Sequence, residues 1–319
     1  MYYEHFGFTS PPFELTANAR YLFLTPQHRE ALANVQYGLS TSKAITLLIG
    51  EAGTGKTTLL RAALESELCR DIHCVYLNNP GLSRDEFIET LACRLELSAA
   101  AADSKARLLE ELEPALLERR AAGQTTALIV DEAQRLSDDL LEEIRLLANI
   151  ETDEQKLLPL VLAGQPELSE RLNGAGLRQL KQRVALRCVL APFTLQETAA
   201  YIASRIRKSG GEPARILTRE AIVAIHEYSG GIPRTINVVC DNILLSAFAA
   251  GRGSIGSDLV REVARDFDLT TPRAASMFPE PAAAFPARPA EPEVDDPAPV
   301  RADVDVPRPR RFSLFGWSS

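Results

Sequence analysis

The chain has 319 residues, 45% hydrophobic and 24% charged, with a formal net charge of −8. That length is enough for two domains and for a core that needs no disulfide or metal. Acidity spread along the chain excludes general attraction to DNA or anionic lipid.

The five cysteines are scattered without ligand spacing, as reduced cytosolic thiols are. The N-terminus lacks the pattern of a signal peptide, and the apolar runs fall far short of the ~20 residues a membrane helix needs. A soluble, cytoplasmic protein is expected.

In chain order, five apolar runs read as strands: Ala44–Ile49, Cys74–Leu77, Ala127–Val130, Leu158–Leu162 and Val184–Leu190. The first four are almost continuously apolar, as strands buried on both faces of a parallel sheet are. Helical patterns lie between them, over Lys56–Leu68, from Ser83 with a capping box to Glu86, over Ser104–Arg120 and over Ser137–Asn149. After Pro192 the strand pattern stops. Helices are expected over Thr194–Lys208, opened by a second capping box with Glu197, then Thr218–Tyr228, Pro233–Ala249 and Ser257–Asp266. From Thr271 the composition turns to Ala, Pro, Glu and Asp without periodicity, which predicts a disordered tail. Its last residues, from Arg310 to Trp317, read either as a fraying terminus or as a short docking peptide. The expected organisation is an α/β domain at 1–192, an all-helical domain at 193–270 and a disordered tail at 271–319.

The chemistry is concentrated at the strand ends. Gly50, Glu51, Ala52, Gly53, Thr54, Gly55, Lys56 and Thr57 fit the P-loop pattern between an apolar strand and a helix, with Thr58 following. Glycines there let backbone amides converge on phosphate, and the helix N-terminus adds its positive end. Lys56 is placed to reach the β- and γ-phosphates and Thr57 to bring its hydroxyl to Mg²⁺. The run ending in Asp131 and Glu132 has the form of a Walker B strand. Asp131 would hold the metal and Glu132 would orient and polarise the attacking water. Gln165 follows a further strand and could bond the water or the γ-phosphate; without the other motifs a simple turn would be the preferred reading. Two arginines are candidates to neutralise transferring phosphate: Arg183 before the last strand, and Arg234 at a helix start. A cation there opposes the helix dipole, which points to an anionic partner.

Taken together these motifs resemble the AAA+ ATPases, and among them the ExeA or GspA type of general secretion and related pilus and exopolysaccharide systems. The resemblance spans about residues 1–270. It includes Tyr3 to Phe8 with Pro12 and Phe13, the stretch from Phe23 to Leu32, the P-loop, Val130 to Gln134, Leu162 to Leu168, Gln182 with Arg183, and Gly231 to Asn237. The resemblance implies a P-loop NTPase fold with a five-stranded parallel sheet and a small helical lid, ATP and Mg²⁺ as cofactors, and a homo-oligomeric ring. It implies that Gln165 is sensor 1 and that Asn78 is the polar switch restraining Glu132. It further implies that Arg234 is sensor 2 on the lid and that Arg183 is an arginine finger acting in trans, with Arg178 the next candidate. Tyr21, Leu22 and His28 would pack near adenine, while Phe6 and Phe13 would be core.

Many relatives continue into a transmembrane helix and a periplasmic domain. This sequence carries neither, which points to a stand-alone ATPase acting through envelope or secretion partners. A rival reading is a DNA-associated ATPase like the transposition helper proteins; the acidic charge and the lack of an added DNA-binding domain count against it.

Overall fold

The computed structural model describes residues 2–15, 21–78 and 81–269. The tail expected from 271 onward, with its Trp317-containing end, lies outside the described residues.

A parallel sheet is built from β1 (Ile45–Gly50), β2 (Ile72–Leu77), β3 (Thr125–Val130), β4 (Leu160–Gly164) and β5 (Val184–Leu190), in the order β2-β3-β4-β1-β5. Alternation along these strands sends side chains to two separate cores. Ile45, Leu47 and Ile49 of β1 join Leu128 and Val130 of β3 and Leu160 and Leu162 of β4 on one face. Leu48, Ala127, Ile129, Val161 and Ala163 fill the other face, against Val35 and Leu39 of helix Pro26–Ser40 and Leu59 and Leu60 of helix Lys56–Leu64. Burial on both faces is why the sequence reads as near-continuous apolar runs.

Helix starts follow side-chain capping. Ser83 and Thr194 each accept from the amide three residues on, while Glu86 and Glu197 reciprocate, so both capping boxes are formed. Helix Lys56–Leu64 is shorter than expected, because the chain turns at Glu65 into a single 3-10 turn at Glu67–Cys69.

After β5 the chain forms a helical bundle from Leu195–Lys208, Arg219–Ser229, Pro233–Ala249 and Ser257–Asp266, with the short Pro213–Ile216 between. Its core is completed from the far end of the sequence. Phe8 and Phe13 are buried among Phe193, Tyr201, Ile202, Ile206 and the inner faces of the later helices. Arg205 fastens this arrangement by donating from Nη1 to the carbonyls of Pro12 (2.8 Å) and Glu14 (3.4 Å).

Candidate nucleotide-binding site

The loop from Glu51 to Gly55 leaves the C-terminal end of β1 and enters helix Lys56–Leu64. Thr54 folds it back on itself, its hydroxyl donating to the Glu51 carbonyl at 2.8 Å. Lys56 is only 4% exposed, and its ammonium donates to the carbonyls of Gly50 (2.8 Å) and Glu51 (3.1 Å). Burial pulls the Lys56 pKa below its ordinary value, with the charges of Glu132, Asp131 and Glu51 pulling the other way. Gly53 has a positive φ of 84°, and a Cβ there would lie 2.7 Å from the Cβ of Arg234. The backbone of Arg234 also donates to the Gly53 carbonyl at 3.3 Å. The loop and the start of helix Pro233–Ala249 therefore meet with no room for a side chain between them.

β3 brings the acids to the same edge. Asp131 is 1% exposed, and its Oδ2 accepts from the hydroxyls of Thr57 (2.6 Å) and Tyr76 (2.9 Å). Its Oδ1 accepts from the backbone of Glu132 at 2.9 Å. Burial, followed by the Asp131 charge and hydrogen bond, pushes the Tyr76 phenol well above its ordinary range, so it stands as a donor. Thr57 and Asp131 place two hard oxygen donors side by side. That donor chemistry fits Mg²⁺, which takes one or two carboxylates together with phosphate oxygens and water.

Glu132 adopts a left-handed backbone, φ 55° and ψ 35°, a conformation that costs a non-glycine residue about 1–3 kcal/mol. Its Oε2 accepts from the side-chain amides of Gln134 (2.6 Å) and Gln165 (3.4 Å). Burial pushes the Glu132 carboxyl up, but the Gln134 and Gln165 hydrogen bonds and the Lys56 charge outweigh it and hold the group below the ordinary carboxylate range. The orientation of Gln134 is set from both ends. Its Oε1 accepts the backbone N–H of Gln165 at 3.1 Å, which leaves its amino group for Glu132. Arg171 in turn donates to the Gln134 carbonyl at 2.8 Å.

Of these groups, Lys56, Thr57, Glu132 and Arg234 border a cavity of about 340 Å³, within the range of small-molecule sites. Gly53 to Thr58, Glu132 and Arg234 line it. Tyr21, Leu22, Phe23 and His28 from the N-terminal segment also line it, with Phe193, Tyr201, Arg205 and Asn237 from the bundle side. There the Arg205 guanidinium lies over the rings of Tyr21 and Tyr201, 4.8 and 5.2 Å from their centroids, and Tyr201 donates to Asn237 at 2.9 Å.

Most of the residues singled out in the sequence thus converge: the P-loop, Asp131, Glu132, Gln165, Arg234, Tyr21, Leu22 and His28. Asn78, Arg178 and Arg183 do not. Asn78 is exposed beyond the end of β2, and the hydrogen bonds to Glu132 come from Gln134 and Gln165 instead. Arg178 and Arg183 are exposed around the short helix Arg178–Lys181, outside the cavity lining. The structure adds Tyr76, Gln134, Tyr201, Arg205 and Asn237. Gln134 was legible as part of a motif without a role, and Tyr76 gave no sequence signal.

The chain is similar to several known proteins. Residues 39–172 match the family model described as an AAA domain. General secretion pathway protein A of Aeromonas hydrophila is 40% identical over 255 residues, which is 80% of this chain and 46% of that protein. The chain thus spans about half the length of this curated relative. In fold it is similar to the Cdc6p crystal structure from Pyrobaculum aerophilum, at 19% identity and TM-score 0.59, covering 77% of this chain and 68% of that one. It is likewise similar to the Drosophila ORC structure bound to DNA, at 17% identity and TM-score 0.58, covering 82% and 67%. With the P-loop, the Asp131–Glu132 strand end and the parallel sheet in place, the chain belongs to the AAA+ ATPases of the ExeA/GspA type.

Proposed function

We propose that this cavity binds ATP with Mg²⁺ and hydrolyses it. The observation that carries the reading is the convergence of Lys56, Thr57, Asp131 and Glu132 on one edge of the sheet, with Arg234 seated against the loop at Gly53 beside a cavity of small-molecule size. The loop amides and Lys56 bind the phosphates, and Thr57 and Asp131 hold the magnesium. The bound ion would neutralise charge on the transferring phosphoryl group. Glu132 takes the proton of the attacking water. Gln134 and Gln165 hold its Oε2, which leaves Oε1 to receive that proton. Tyr21, Leu22 and His28 form the adenine side. Arg234, seated on Gly53, senses the γ-phosphate and passes its loss to the helical bundle, which acts as a lid over residues 193–270.

In this reading the protein works in the cytoplasm as a homo-oligomeric ring, with Arg183, or failing that Arg178, reaching the site of a neighbouring subunit. The likeness to a general secretion protein supports a role in assembly or export of envelope components. No helix among the described residues is long and apolar enough to cross a membrane. In this reading, contact with an envelope machine includes protein partners.

The test is a pair of variants. Glu132→Gln should retain ATP binding and lose hydrolysis by about 100-fold or more, while Lys56→Ala should lose binding. Near-normal turnover in Glu132→Gln would move the base elsewhere, and unchanged ATP affinity in Lys56→Ala would remove the phosphate assignment.

A further inference from the structure

We propose that Tyr76 is the positioning residue for the metal-binding carboxylate, fixing Asp131 from the neighbouring strand so that the site takes magnesium with the nucleotide. The inference rests on the nucleotide and metal reading above.

Asp131 meets three donors, and they differ in kind. The Glu132 amide fixes Oδ1 from the main chain at 2.9 Å. Thr57 reaches Oδ2 at 2.6 Å, but its hydroxyl is itself a metal ligand in the proposed site and cannot serve as an independent anchor. Tyr76 reaches the same Oδ2 at 2.9 Å and is no metal ligand.

Its own position is set twice. Parallel pairing sets Tyr76 opposite Ile129 and Leu77 opposite Val130, and the Asp131 amide extends the ladder by donating to the Leu77 carbonyl at 2.9 Å. The ring meanwhile packs against the core that contains Leu59, Ala127 and Ile129. A phenol held by strand register and by packing has little freedom left to lose. It therefore restrains the carboxylate torsion that Oδ1 alone leaves open. Outer donors of this kind typically change metal affinity or activity 10–100-fold when removed.

Tyr76→Phe removes the hydroxyl and keeps the ring. In the full-length protein, a fluorescent ATP analogue should bind wild type and Tyr76→Phe equally in EDTA, because Lys56 and the loop are untouched. The magnesium concentration that half-restores tight binding should rise about tenfold in the variant. Free Mn²⁺, followed by electron paramagnetic resonance in the presence of ADP, should show the same weakening without any turnover. Tyr37→Phe, at an exposed tyrosine on helix Pro26–Ser40, should match wild type throughout.

An unchanged magnesium midpoint in Tyr76→Phe overturns the proposal. So does a parallel loss of affinity in EDTA, which would make the tyrosine a general structural support. Should wild type bind the analogue without any response to magnesium, the metal reading beneath the proposal fails, and the proposal with it.

Discussion

His28 makes two hydrogen bonds that fit only one tautomer. Its Nε2 lies 3.2 Å from the Thr54 carbonyl, which can only accept, so Nε2 carries the proton. Nδ1 then accepts from the Thr25 hydroxyl at 2.8 Å. Burial pulls the His28 pKa below its ordinary value, with the Thr54 carbonyl acting the other way, and the ring stays neutral in the fold. A group depressed in the native state stabilises fully above its unfolded value of about 6.5 and loses that contribution as pH falls through the lowered native value. Urea midpoints at pH 8 and pH 5.5 should therefore separate less in His28→Gln than in wild type. Equal separations would exclude His28 as a source of acid sensitivity. Because Thr54 belongs to the phosphate loop, acidification should also loosen that loop before the fold is lost.

At the scale of elements, two adjacent glycines carry an internal control. Gly230 ends helix Arg219–Ser229 with φ 58° and has nothing within 4 Å of a built Cβ. Gly231 has φ 72°, and a Cβ there would fall 2.1 Å from the Phe193 carbonyl oxygen. Both alanine variants bear the left-handed penalty of roughly 1–2 kcal/mol, but only Gly231→Ala must also displace Phe193. Its destabilisation in urea should exceed that of Gly230→Ala by about 2 kcal/mol or more, and equal losses would mean that the Phe193 backbone yields freely.

The sequence made such elements legible where a local signal exists. All five strands, both capping boxes and the long bundle helices were readable from apolar runs, Ser or Thr caps, and glycines. The ends were less so. His73 and Thr125–Thr126 interrupt apolar counting, although the first lies in β2 and the second opens β3. Pro159, lacking an N–H, delays β4 to Leu160. Tyr76 was illegible for a deeper reason. Its contact with Asp131, 55 residues away in sequence, arises from the register of two strands, and register is not a property of either strand alone.

For the molecule as a whole, the exposure of Arg183 outside its own chain's cavity is what the ring reading asks of a residue serving a neighbour. Arg183→Ala retains a complete nucleotide loop, and Lys56→Ala retains a normal Arg183. Mixing the two inactive variants should restore part of the ATPase activity, since some junctions then join an intact loop to an intact arginine. If mixed oligomers form, shown by co-purification of differently tagged variants, and activity stays absent, Arg183 is not acting in trans.

The burial of Phe8 and Phe13 within the C-terminal bundle also orders events on the ribosome. These side chains emerge first, yet Ile202 and Ile206, which complete their core, follow nearly two hundred residues later. At roughly 5–20 residues per second that is an interval of about 10–40 s. During it every strand of the sheet is synthesised, while the two phenylalanines wait without their partners. The α/β core can form early, and the part of the cavity contributed by the bundle is finished only once Tyr201, Arg205 and Asn237 have followed. A nascent chain would thus possess its phosphate loop well before it could close a nucleotide within it.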